Sequence, residues 1–66
     1  MSDTAYPGEL RNGDHIWRAG ELVKVTSATY SARGSLVIVK GLRSDGSEFE
    51  ARYVPGAVIK IARRSP

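Results

Sequence analysis

The chain has 66 residues, enough for one small domain, and no cysteine. A domain of this size buries only about 60% of the surface its unfolded chain exposes. Disulfides and thiolate metal sites are excluded, so stability must come from a compact apolar core or a partner subunit. Ten Lys and Arg against seven Asp and Glu give a net charge of +3; with a pI of about 9.7, nucleic acid is an admissible partner but not a required one.

The longest aliphatic run, Leu36 to Val39, is far short of the roughly 20 apolar residues that span a bilayer. The opening MSDTAYPGEL has neither a basic start nor an apolar stretch and does not read as a signal peptide. Cytoplasmic residence without a membrane partner is the expectation, for a cellular or a phage-encoded protein alike.

Residues 1–9 are polar, and Pro7-Gly8 is a turn signal. They are predicted to be a flexible or loosely docked arm. Arg11-Asn12-Gly13 reads as a turn into a first strand over Asp14–Arg18. Ala19-Gly20 then supplies a tight hairpin, because glycine tolerates the positive φ such a turn needs. A second strand covers Glu21–Ala28, and a loop of small and polar residues runs from Thr29 to Ser35. The third strand, Ser35–Leu42, has apolar side chains on both parities and is expected to be covered on both faces.

Asp45-Gly46 is the clearest hairpin turn. The fourth strand, Glu48–Tyr53, alternates: Phe49, Ala51 and Tyr53 on one face, Glu48, Glu50 and Arg52 on the other. Val54 to Gly56 is predicted to bend the chain as a short 3₁₀ turn. A last strand covers Ala57–Ile61, and residues 63–66 form a basic tail. Phe49, Ile38, Val25 and Ile59 are expected in one core.

No segment keeps a helical apolar period for three turns. The fold class is therefore all-β. Five short strands over residues 10–62 must pair or close their edges, and a small SH3-like (KOW/Tudor-like) barrel does so economically. An OB-fold is the competitor, but it usually needs longer strands and a helix.

The stretches LRNGDHIWRAGELVKV and ARGSLVIVKGLRSDGSEFEARY resemble the N-terminal KOW-like domain of the bacterial elongation factor P family. Leu10, Arg11 and Gly13 match the family's opening turn, Arg33-Gly34 its tip loop, and Gly46, Phe49, Glu50 and Arg52 its later hairpin. The tip loop is shorter here and lacks the family's Pro-Gly. The two OB-like domains that follow in that factor are absent from this sequence. The resemblance implies the barrel fold and a contact between Arg33 and RNA.

His15 and Trp17 share one strand parity, and Ile16, on the other, is the better core candidate. Asp14 points away from His15 if both lie on a strand, so the two do not form a coupled acid–base pair. A zinc site needs about three or four protein ligands, and there is no second histidine. Neither a metal nor a cofactor is expected, and His15 reads as a structural or surface residue. Trp17 could be a stacking platform or a cap on the barrel.

Tyr30 and Arg33 could stack a base and bridge phosphates, with Trp17, Arg18, Lys40, Arg63 and Arg64 adding to a basic, aromatic face. Glu48 and Glu50 would repel a phosphate backbone from their side. The sequence thus predicts a small non-enzymatic binding module for nucleic acid or a ribonucleoprotein. The alternative is a protein-interaction adaptor that uses an aromatic groove or an exposed edge strand.

Overall fold

In a computed structural model of the chain, which describes residues 3–64, the protein is all-β. The strands are β1 (Thr4–Ala5), β2 (His15–Arg18), β3 (Glu21–Tyr30), β4 (Val37–Arg43), β5 (Glu48–Tyr53) and β6 (Ile59–Arg63). They form one antiparallel sheet in the order β1-β6-β2-β3-β4-β5. Among the described residues, six strands stand where five were expected. Among the described residues hydrogen bonding does not close the sheet, and β1 and β5 are its two edges.

Turn chemistry sets the connections. Ala19 and Gly20 both have positive φ, 52° and 78°, as a two-residue type I′ hairpin requires. Between β4 and β5, Gly46 N–H donates to the Arg43 carbonyl and Arg43 N–H to the Ser47 carbonyl, both at 2.9 Å. Gly46 has φ 86°, the left-handed step that lets this three-residue loop close. Ahead of β2, Asp14 N–H bonds to the Arg11 carbonyl at 3.0 Å. Arg11 N–H donates to the Asp14 carboxylate at 2.9 Å, so the Arg11–Asp14 turn closes from both ends.

The core lies on one face of the sheet and draws on every strand: Ala5, Ile16, Val23, Val25, Val37, Val39, Phe49, Ala51, Ile59 and Ile61, with Leu10 from the β1–β2 connection. Edge strands β1 and β5 share this cluster with the central strands, so the sheet bends around it. A bulge helps. Val25 pairs with Gly41 and Ser27 with Lys40, which leaves Thr26 as the extra residue, and such an insertion increases local twist.

Several expectations change. Residues 4–10, placed largely in an arm, are docked: β1 pairs with β6, Pro7–Glu9 forms a 3₁₀ turn, and Ala5, Pro7 and Leu10 are buried. The 3₁₀ turn falls there and not at Val54–Gly56, where a plain turn is closed by Ala57 N–H on the Val54 carbonyl at 3.0 Å. Asp14 precedes β2 and is buried, and β3 runs on through Tyr30. β4 is covered on one face only. Val37 and Val39 are fully buried, whereas Ile38 is half-buried and Leu42 exposed, so Ile38 leaves the core set that Phe49, Val25 and Ile59 keep. β6 begins two residues later than predicted and takes in Arg63.

Candidate functional site

The solvent face of the β2–β3–β4 hairpins carries an apolar patch. Strand alternation turns Ile16, Val23 and Val25 into the core, which leaves Trp17, Leu22 and Leu42 outside. Their exposures are 45%, 37% and 39%. Trp17 lies directly opposite Leu22, and Lys24 lies opposite both His15 and Leu42. Leu22 and Leu42 are thus diagonal cross-strand neighbours, within reach of long side chains. A shallow depression of about 170 Å³ here is lined by His15, Leu22, Lys24, Leu42, Arg43 and Ser44. Lys24 is the charged side chain this face contributes to it, and Glu48 stands opposite Leu42 on the neighbouring strand.

Sequence reasoning leaves Trp17 as either an outer-face platform or a cap on the barrel, and the structure puts it on the outer face; Leu22 and Leu42 it misses. The available signal is parity: each is a leucine on the polar side of an alternating strand.

The other predicted residues do not join Trp17. Arg18 has the opposite parity, and its guanidinium lies 5.1 Å from the centre of the Tyr53 ring. Lys40 is exposed on β4 opposite Glu50, and its carbonyl accepts the Thr26 hydroxyl at 3.1 Å. Arg63 ends β6, paired with His15. Arg64 Nε approaches the Asp14 carboxylate at 3.8 Å, with Asp14 only 1% exposed. Two arginines of the presumed contact face are therefore engaged within the fold. The rest of the predicted tail, residues 65 and 66, lies outside the described residues.

Tyr30 and Arg33 sit at the far end of β3. Tyr30 is eight residues along β3 from Leu22, roughly 25 Å at about 3.3 Å per residue. Tyr30 is 61% exposed, and its ring stands over Gly8, where an added Cβ would meet the phenol oxygen at 2.5 Å. The loop that carries Arg33 is built on Ser31. Ser31 N–H donates to the Leu36 carbonyl at 2.8 Å, and Gly34 N–H to the Ser31 carbonyl at 2.9 Å. Leu36 N–H reaches the Ser31 hydroxyl at 3.3 Å.

His15 and Ser44 line the same depression, but the Ser44 hydroxyl donates to Glu21 at 3.3 Å. His15 Nδ1 is buried with no hydrogen-bond partner among the described residues. No nucleophile–base–orienter arrangement results among these groups. Among the described residues, no group of three or more His, Asp or Glu is placed to hold a metal ion. No helix among them is long and apolar enough to cross a membrane. No protein-family model matches the chain, and neither curated proteins nor solved structures provide a match.

Proposed function

We propose that the protein is a small cytoplasmic, non-enzymatic interaction module that binds a protein partner on the solvent face of β2–β4. The carrying observation is the contiguous exposure of Trp17, Leu22 and Leu42 on a sheet face that the alternation would otherwise make polar. Contiguous apolar surface of this kind marks binding sites, and an exposed tryptophan is a frequent anchor of interface energy. Lys24, directly opposite Leu42 on this face, favours a partner segment that sets a carboxylate beside its apolar anchors. We read the sheet, bent around one core, as a small SH3-like barrel left open at β1 and β5. The elongation factor P likeness fits that reading.

A nucleic-acid contact at Tyr30 and Arg33 is the second reading. It is favoured by their shared exposure at one end of β3 and by the net charge of +3.

The test is recovery of the tagged protein from its native cell, with and without nuclease, beside a Trp17→Ser/Leu42→Ser variant. The expected result is a protein partner retained after nuclease and weakened about 30-fold or more in the variant, the size of one lost anchor. Loss of the partner on nuclease treatment, with steeply salt-dependent binding of RNA or DNA, would overturn the protein reading in favour of the second.

A further inference from the structure

We propose that the free edge of β5 pairs antiparallel with the same edge of a second copy, so that the protein self-associates through Glu50 and Arg52. β4 is the only strand partner of β5 among the described residues. The phase of their ladder fixes which backbone groups are left over. Arg43 N–H donates to the Ser47 carbonyl, so these two residues form a hydrogen-bonded pair. In an antiparallel ladder such pairs recur at every second residue. In the β4–β5 register they are Gly41–Phe49, Val39–Ala51 and Val37–Tyr53. The N–H and C=O groups of Glu48, Glu50 and Arg52 therefore point to the open edge, and their side chains are exposed.

An open edge is a template for another strand, and the charges of this one complement their own reversal. In an antiparallel pairing centred on Ala51, Ala51 opposes itself and Glu50 opposes Arg52 of the second copy, twice over. These are hydrogen-bonding positions, so about four backbone bonds form along with two opposite-charge pairs. Within the chain Glu50 already faces Lys40. Across the two-fold axis the row on the solvent face then reads Lys40, Glu50, Arg52, with alternating sign. A pairing centred on Glu50 would also satisfy the backbone, but it would set two glutamates against each other. The interface is isologous and closes at two copies.

Sedimentation across a concentration series tests this, together with backbone amide exchange on the unmodified protein. The expected result is a concentration-dependent dimer. Glu50→Arg and Arg52→Glu should each weaken it by roughly tenfold or more, and the double reversal Glu50→Arg/Arg52→Glu should restore it. Trp17→Ser should leave it intact, which separates this edge from the partner face. The amides of Glu50 and Arg52 should gain protection as concentration rises, whereas those of Phe49 and Ala51, already bonded to β4, should not. A protein that stays monomeric at every concentration overturns the proposal. So does a dimer indifferent to the reversals, or one whose Glu50 and Arg52 amides stay unprotected.

Discussion

The guanidinium of Arg18 lies over the ring of Tyr53, 5.1 Å from its centre, although β3 and β4 separate their strands in the sheet. The contact spans the concave side and is possible only because the sheet bends. Arg43 repeats the arrangement over Phe49 at 5.9 Å. Two arginines thus lay their guanidinium groups over aromatic side chains of β5.

Arg18 should therefore behave as a structural residue. Replacing it with Ala is expected to lower stability by about 1 kcal/mol, the range for a cation–π contact at a partly exposed site. A double-mutant cycle with Tyr53→Leu should show coupling of about 0.5–1 kcal/mol. Urea denaturation of the four proteins measures it, and strict additivity would mean that the contact contributes nothing in solution.

Phe49 is buried among residues from every other strand. Phe49→Ala should cost about 3–5 kcal/mol, enough to unfold most of so small a domain. A cooperative transition with an unchanged urea midpoint would place Phe49 outside the energetic core.

The features legible in the sequence are those encoded locally. The alternation over Glu48–Tyr53 gave β5 its bounds, and Asp45-Gly46 gave its hairpin. Ile16 identified the inward parity of β2, which left Trp17 either outside or capping the barrel. What escaped depends on distant partners. Thr4-Ala5 is too short to show a period and becomes a strand only because β6 lies beside it. Ile38 resembles Val37 and Val39 in composition, but it lies on the opposite face of β4 and is only half-buried. Arg18 reads as a free cation until the bend brings Tyr53 to it, and Arg64 until Asp14 is seen to be buried. Leu22 and Leu42 are twenty residues apart in sequence, and only the β3–β4 register makes them one patch.

Gly41 shows how that register constrains sequence. An added Cβ there would fall on the backbone carbonyl of Lys24, because the bulge at Thr26 brings β3 close. Backbone cannot yield as a flexible side chain can. Gly41→Ala should destabilise by about 1–3 kcal/mol, the cost of overpacking a tight site. Thermal unfolding measures it, with Gly56→Ala as a control at a site with open space. Equal melting temperatures for Gly41→Ala and the unmodified protein would show that the two strands stand further apart.

The β2–β3 turn offers the opposite case, a substitution that should stabilise. Ala19 is the only non-glycine residue with positive φ among the described residues, a conformation that costs an L side chain roughly 1 kcal/mol or more. Ala19→Gly removes that strain but adds freedom to the unfolded chain, worth about 0.4–1 kcal/mol. Asn tolerates the conformation without that loss and is favoured ahead of Gly in this turn type. Ala19→Asn should therefore raise the urea midpoint by more than Ala19→Gly does. A lower midpoint for Ala19→Asn would mean that the turn is not of type I′ in solution.

The last prediction concerns Asp45 in the β4–β5 turn. The hydroxyl and N–H of Ser47 both donate to one Asp45 oxygen, at 2.6 and 2.9 Å. These bonds, the hydroxyl's first, hold the carboxyl below its ordinary value of 3.8, and the charge of Arg43 adds to them. A depressed folded-state value means that the ionised form is favoured by folding. The contribution is complete above the ordinary carboxyl range and is lost as the pH falls through the folded value. Because Asp45 is fully exposed, its effect on global stability is small, and the sensitive readout is the carboxyl itself. In an NMR titration its midpoint should lie below 3.8, and Ser47→Ala should move it upward without restoring it fully, since the N–H bond remains. An Asp45 midpoint unchanged by Ser47→Ala would show that the hydroxyl bond does not persist in solution. The turn would then be held by its backbone bonds, and by Gly46 in its left-handed conformation, without help from Asp45.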